Sequence, residues 1–287
     1  MNRPIFICPV CSSPLSLEGR SYYCVNNHSY DISKEGYVNL LLANQKQSRD
    51  PGDSKEMLEA RKSFLNRGYY KPLARAVASI IIKYKRKVFI VPLKKNMSYC
   101  QRRRFDRLNV RTFSVTEPSQ FNEPIPSPEP LPVTVSLPVI EPIPVTESVR
   151  VTEPAAVTEP VEVEFTILDA GCGEGYYTDY ISRNHYINTS SIIYGIDISK
   201  DGIKSASKRS RTINFAVAGI YNLPILDSSV DTLLNIFAPF NGAEFDRVLK
   251  DHGLIISVTP GSHHLYELKK NLYDEVYLND EEFNLPD

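Results

Sequence analysis

The sequence has no long apolar run, no excess of either charge, and cysteines too few and too uneven in number for a disulfide framework. No stretch approaches the about 18 apolar residues that suggest a membrane span. The opening Met1-Asn-Arg-Pro-Ile-Phe-Ile-Cys8 lacks the apolar core of a secretory signal. The expectation is a cytoplasmic protein with no membrane partner, in a reducing compartment where grouped cysteines more often bind metal than pair. Lys and Arg number 33 against 34 Asp and Glu, a net charge of -1, so composition alone does not announce a nucleic-acid binder. A length of 287 residues leaves room for about two domains.

The near-neutral average hides a segregation. Residues Lys83 to Arg111 are strongly basic, whereas Thr116 to Glu164 is acidic with Arg150 as its one basic residue. The tetrad Val-Thr-Glu-Pro recurs at 115–118, 151–154 and 157–160, with Val-Thr-Glu-Ser at 145–148. Prolines at this density remove backbone donors and forbid regular helix or central strand. Residues 85–164 therefore read as a low-complexity, disordered insert, with a proline-motif ligand for another protein as the functional alternative. Before it, 45–84 reads as linker helices: Met57, Ala60, Phe64 and Leu65 recur at helical spacing, Gly68 interrupts, and Leu73, Val77, Ile80 and Ile81 resume.

Residues 1–44 form the first unit. Cys8-Pro-Val-Cys11 is followed by Cys24 and His28 in the spacing C-x2-C-x12-C-x3-H. Two knuckles so spaced can bring four ligands to one tetrahedral ion, and thiolate with imidazole suits Zn2+. Four protein ligands leave no open position for water, so the metal is expected to be structural, holding together a unit with little core of its own. The competing reading, a Cys8/Cys11 redox pair, fits poorly beside Pro9 and the Ser12-Ser-Pro14 turn. Cys100 and Cys172 are assigned no metal.

From Phe165 onward strands and helices alternate. Strands are expected at 165–169, 192–197, 214–218, 230–237 and 253–258, with helices at 176–183 and 200–208 between them. That alternation predicts an α/β, Rossmann-like doubly wound parallel sheet. Leu168-Asp-Ala-Gly-Cys-Gly-Glu-Gly175 runs from a strand into a helix through Gly171, Gly173 and Gly175. Glycine lets a backbone turn tightly and approach a ligand closely. With Asp169 ahead of it, this Gly-x-Gly-x-Gly run resembles motif I of class I S-adenosylmethionine methyltransferases. Asp197, at the end of the second strand, is placed to accept from ribose hydroxyls; an exposed strand-end carboxylate is the plainer alternative. A nicotinamide dehydrogenase is the competing reading of the loop.

Taken together, the two halves resemble the bacterial 23S ribosomal RNA guanine-N1 methyltransferases, which join a zinc module to a class I methyltransferase domain. The resemblance covers about residues 1–83 and 165–280. It is carried by Lys34-Glu-Gly-Tyr-Val-Asn-Leu40, Ser48-Arg-Asp-Pro-Gly-Asp-Ser54, Ala60-Arg61, Phe64-Leu65, Gly68-Tyr-Tyr70, Gly171 to Thr178, and Thr259-Pro-Gly261 with His264-Leu265. It implies that 165–287 is a S-adenosyl-L-methionine-dependent methyltransferase domain and that Tyr70, Gly175, Tyr176 and His264 contact the cofactor. Tyr70 as a core aromatic and His264 as a surface histidine stay open. The implied substrate is N1 of a guanine in a 23S ribosomal RNA hairpin, with a homodimer one option for the oligomeric state. Basic residues including Lys46, Arg49, Arg61 and Lys62 would contact phosphates. No residue is assigned as catalytic base; Asn235 to Phe240 ends the fourth strand, where an aromatic could stack on the target base.

The sequence departs from the family's pattern twice. Residues from about 85 to 164 replace a short connection, which a surface loop tolerates but which could displace Tyr70. The sequence stops at Asp287, before the elements that complete the sheet in other members, so the C-terminally incomplete sheet is expected to leave the fifth strand with an uncovered edge. An impaired catalytic half would leave a zinc-dependent RNA-binding remnant, the alternative reading; a small-molecule methyltransferase is a third.

Overall fold

A computed structural model of the chain describes residues 5–45, 54–90, 109–115, 164–273, 275, 276 and 278. All of them fall in one compact unit. The first strands are short: β1 (Ser16–Glu18), β2 (Ser21–Tyr23) and β3 (Ser29–Asp31) make an antiparallel sheet of their own. β4 (Tyr37–Asn39) does not join them. Two helices follow, α1 (Lys55–Asn66) and α2 (Lys71–Ile90), then β5 (Asn109–Val115).

The remainder alternates. β6 (Phe165–Ala170) leads to α3 (Tyr176–Ser182) and α4 (His185–Asn188); β7 (Ser191–Asp197) leads to α5 (Lys200–Arg209). β8 (Asn214–Val217) and β9 (Val230–Ile236) precede α6 (Gly242–Val248), β10 (Leu249–Pro260) and α7 (Tyr266–Leu272). These strands lie in a seven-stranded sheet of order β4-β8-β7-β6-β9-β10-β5, and every pairing in it is parallel. The order turns back on itself at β6, between β7 and β9, which is the switch point where ligands bind such sheets.

All residues of β6 and β9 are buried, the pattern of parallel strands covered on both faces. Alternation divides them between two layers. Phe165, Ile167, Leu234 and Ile236 face α2, α3 and α5, meeting Ala74, Val77, Ala78, Ile81, Ile181, Ile203 and Ala206. Leu168, Ala170 and Leu233 face the other way, toward Phe245 and Val248 of α6 and toward Ile5, Phe6, Leu15 and Tyr22 of the N-terminal segment. Phe6 is 1% exposed and meets Tyr194 edge-on at 5.3 Å. Each such buried side chain contributes about 1.5–3 kcal/mol.

The N-terminal zinc module also reaches the large sheet: β4 extends it alongside β8, and Ile7 N–H donates to Pro224 O at 2.9 Å while Leu226 N–H donates to Ile5 O at 2.8 Å. Two expectations change here. The linker helix does not end at residue 84. α2 runs to Ile90, and the buried Lys85 ammonium donates to Ile187 O (3.0 Å), Thr189 O and Ser191 Oγ (2.7 Å) just beyond α4. A cation there satisfies carbonyls at a helix C-terminus. Within the expected insert, 109–115 pairs with β10 over seven residues, Asn109 opposite Leu254 through Val115 opposite Pro260, so the fifth strand's edge is covered after all. The Val-Thr-Glu-Pro repeats past Val115 lie outside the described residues, as do Lys46, Arg49, Cys100 and most of Ser48–Ser54. No helix among the described residues is long and apolar enough to cross a membrane.

Candidate active site and zinc-ligand set

The ligand atoms of Cys8, Cys11, Cys24 and His28 all lie within 4.8 Å of one another. Cys11 Sγ is 3.7 Å from Cys24 Sγ, and His28 Nδ1 is 3.5 Å from Cys8 Sγ and 3.3 Å from Cys24 Sγ. A tetrahedron with Zn–S of about 2.3 Å and Zn–N of about 2.0–2.1 Å has edges of about 3.5–3.8 Å. Three of the ligand separations lie close to those edges, so the set can close on zinc by small side-chain adjustments. Local backbone makes the knuckles: Ser12 and Asn27 adopt φ of 56° and 61°, and the Ser12 and Asn27 N–H groups donate back to Cys8 O and Cys24 O. Hydrogen bonds from Ser13, then Asn26, pull the Cys11 thiol down to about 5, so it is ready as thiolate. The Tyr30 hydroxyl lies 3.0 Å from Cys8 Sγ as an outer-shell partner.

The second centre is built at the carboxyl ends of β6, β7, β9 and β10. After β6 the backbone turns through Gly171 at φ +88°. A Cβ there would lie 2.3 Å from that of Ala238, so only glycine lets this turn pack beneath the residues after β9. Gly173 also has positive φ, +55°, yet a Cβ on it would meet nothing within 4 Å: its face looks onto open space where a ligand can approach the backbone. Gly175 is the N-cap of α3. Asp197 accepts from Gly173 N–H through Oδ2 and from Ser199 N–H through Oδ1, both at 2.8 Å, pinning the loop to the tip of β7. It is thus more than a strand-end carboxylate. Asp169 is 1% exposed and accepts from the Thr178 hydroxyl at 2.5 Å. Burial, and to a smaller degree Asp197, push its carboxyl up to about 7 despite that hydrogen bond.

Across from the loop stands an aromatic group drawn from three distant segments. Phe237, just after β9, adopts φ 53° and stacks on His264 with ring centroids 5.6 Å apart. Tyr70, between α1 and α2, meets Phe237 edge-on at 5.8 Å, and its hydroxyl is 3.2 Å from His264 Nε2. Phe64 joins Tyr70 to the exposed Tyr69 at 5.8 and 5.2 Å. Asn235 fixes the mouth by donating to Ala170 O (3.3 Å) and Pro239 O (2.9 Å), tying the end of β9 to the glycine loop.

Residues 6–49 match the family model described as "RlmA, N-terminal", a zinc ribbon, and residues 167–253 match the one described as "Methyltransferase domain". The chain is 29% identical to "Putative 23S rRNA (guanine-N(1)-)-methyltransferase YxjB" of Bacillus subtilis (strain 168), over 94% of this chain and 70% of that protein. A like-named protein of Micromonospora griseorubida is 27% identical over the same shares. The "23S rRNA (guanine(748)-N(1))-methyltransferase" of Streptomyces fradiae is 22% identical, over 91% of this chain and 65% of that protein. The chain is thus similar, over most of its length, to proteins named as 23S rRNA (guanine-N1-)-methyltransferases.

For this methyltransferase the sequence-predicted residues divide into two sets that the fold keeps distinct. Cys8, Cys11, Cys24 and His28 close on one another. Asp169, Gly171, Gly173, Gly175, Tyr176 and Asp197 lie at the carboxyl ends of β6 and β7, and Tyr70 and His264 meet each other beside Phe237, just after β9. Sequence reasoning missed the structural use of Asn235 and the pairing of Glu174 with Arg209. The buried Glu174 Oε2 accepts from Arg209 at 2.5 Å. Arg209 also donates to Asn66 at the end of α1 (3.1 Å) and lies over the Tyr176 ring, so one guanidinium links the glycine loop to the linker helices. An Arg 35 residues from its partner gives no sequence signal.

Proposed function

We propose that this chain transfers the methyl group of S-adenosyl-L-methionine to N1 of a guanine in 23S ribosomal RNA, in the cytoplasm where thiolate ligands stay reduced. The observation that carries the reading is the aromatic run Tyr69–Phe64–Tyr70–Phe237–His264, which leads from an exposed helix end to the mouth of the glycine loop. N1 of guanine is engaged in any Watson–Crick pair, so the base must be unpaired or turned out, as in a hairpin loop. Unstacked bases are held on aromatic faces.

The cofactor, when bound, supplies a methyl group already activated by the sulfonium. Gly171, Gly173 and Gly175 would let it lie against the backbone, Asp197 would accept from its ribose, and the neutral-to-anionic Asp169 carboxyl would face its cationic end. Tyr70, Tyr176 and His264 would flank it. N1 forms its bond to the methyl carbon as the carbon–sulfur bond breaks, and the N1 proton passes to solvent or to a base. The chain's part is positioning: Phe237 would hold the base plane, and Asn235 keeps the end of β9 tied to the loop. The zinc ribbon, with Val10 and Val25 exposed beside its ligands, would present the RNA together with Arg61 and Lys62 of α1. The remnant reading has no observation in its favour.

The test is methyl transfer by the zinc-loaded chain to a 23S RNA transcript, with the product located by nuclease digestion and mass spectrometry. One N1-methylguanosine in an unpaired loop is expected. Methylation at another atom, or transfer to small molecules with no transfer to RNA, would overturn the reading.

A further inference from the structure

Tyr177 takes no part in any arrangement described so far. It is the second residue of α3, immediately after the glycine loop, and is 9% exposed. Its ring meets that of Tyr176 edge-on at 5.1 Å and packs in the same apolar layer that Tyr70 borders. Its hydroxyl is buried yet has no hydrogen-bond partner among the described residues. Leaving a buried hydroxyl unsatisfied costs about 1–3 kcal/mol, so such a group in a folded chain needs an explanation.

Position supplies one. Tyr177 follows the glycine loop on α3, beside Tyr176, and its phenol feels the charges of Tyr70, Tyr176, Asp169 and Arg61. All of them but Arg61 belong to the proposed cofactor surface. Burial pushes the Tyr177 phenol well up, so it keeps its proton and stands as a donor. If Asp197 at the tip of β7 marks the ribose, the other arm of the cofactor crosses the tip of β6. There it finds a buried carboxyl, Asp169, suited to an ammonium, and a buried hydroxyl suited to a carboxylate.

We infer that Tyr177 is a cofactor-binding residue whose hydroxyl donates to the α-carboxylate of the methionyl arm, making the site selective for ligands that carry the amino-acid end. The inference rests on the methyl-donor reading above. It assigns the unpartnered hydroxyl a ligand of defined chemistry: a zwitterionic amino acid attached to a nucleoside.

The experiment compares two ligands on two forms of the full-length, zinc-loaded chain by calorimetry. S-adenosylhomocysteine carries the amino-acid end, and methylthioadenosine lacks it. Tyr177→Phe removes only the hydroxyl. The expected result is about 10-fold or greater weakening for S-adenosylhomocysteine, the size of one hydrogen bond to a charged group, with methylthioadenosine unchanged. The melting temperature should hold or rise, because a buried unsatisfied group has been removed. Equal weakening of both ligands, no weakening of either, or a lowered melting temperature would overturn the assignment. Should the unaltered chain bind neither ligand, the methyl-donor reading itself falls, and this inference with it.

Discussion

The two edges of the large sheet are closed by strands that come from outside its alternating half, and they are closed differently. At one edge β4 contributes three residues, Tyr37, Val38 and Asn39, opposite Phe215, Ala216 and Val217. Short as it is, this strand is anchored: Tyr37 and Val38 are buried, Leu40 N–H continues the pairing to Val217 O at 2.9 Å, and the zinc ribbon that precedes it packs into the core. At the other edge β5 contributes seven residues from between a basic run and the proline-rich stretch. Its hold on β10 is a long backbone ladder. The contrast sets a short edge strand tied to a metal-stabilised unit against a longer one whose backbone pairs along seven residues.

The largest test removes the metal. Chelation, or Cys24→Ser, takes away a binding free energy on the order of 10 kcal/mol for a structural zinc. The ribbon and β4 should come off together while the alternating half stays folded. Hydrogen exchange would show amides of 37–40 and 215–217 opening while those of β6 and β9 stay protected. If β4 remains protected without zinc, packing rather than metal holds that edge.

Next in size is the opposite edge. Deleting 109–115 forfeits seven ladder positions and bares β10; at about 1 kcal/mol per hydrogen bond the loss should be about 3 kcal/mol or more, with concentration-dependent aggregation. Thermal melts and light scattering read it. A deletion variant as stable and monomeric as the parent would mean that β5 contributes nothing.

Smaller effects belong to the centre. Gly171→Ala forces a methyl group to within 2.3 Å of Ala238 on a backbone at φ +88° and should cost about 1–3 kcal/mol. It should abolish S-adenosylhomocysteine binding while leaving zinc content unchanged. Gly173→Ala, with open space at its Cβ, should cost about 1 kcal/mol in stability but still block the ligand. Equal ligand affinity in the parent and Gly173→Ala would place the ligand elsewhere.

The mildest is a pH dependence confined to the centre. The Asp169 carboxyl sits at about 7 in the fold against 3.8 unperturbed, because burial disfavours its charge. The folded state thus holds a proton more tightly than the unfolded chain. The contribution of this group is full below the unperturbed value and is lost as pH climbs to about 7. The melting temperature of the ligand-free chain should fall from about pH 5.5 to 7.5 more than that of Asp169→Asn, and S-adenosylhomocysteine affinity should rise a few-fold over that range. Parallel profiles for the two proteins would refute the shift.

What the sequence made legible follows from range. Cys8, Cys11, Cys24 and His28 fall within 21 consecutive residues, and their spacing alone encodes a tetrahedron. Gly171 to Gly175 likewise carries its own turn, and the strands β6 to β10 announce themselves by buried runs bounded by helices. Illegible were the contacts made at long range. Nothing in Tyr37-Val-Asn39 marks a parallel partner near residue 215, because three residues carry no period. The Asn109-Val-Arg-Thr-Phe-Ser-Val115 strand was hidden by its neighbours, a basic run before it and Val-Thr-Glu-Pro overlapping its end. Tyr70 and His264 were named through family resemblance, but their 3.2 Å approach spans 194 positions. Tyr177 carried no sequence signal of its own, since an unpartnered hydroxyl is a property of surroundings.

The pairing of β4 with β8 has a consequence for the order of events during synthesis. The ribbon emerges from the ribosome first and can take its ion at once, but residues 37–39 have no strand to lie against until residue 217 has been made. A nascent chain would therefore carry a finished, metal-loaded head with an apolar underside waiting on translation. Pulse-labelled chains arrested before Phe215 should bind chaperone, and chains released past Val258 should not.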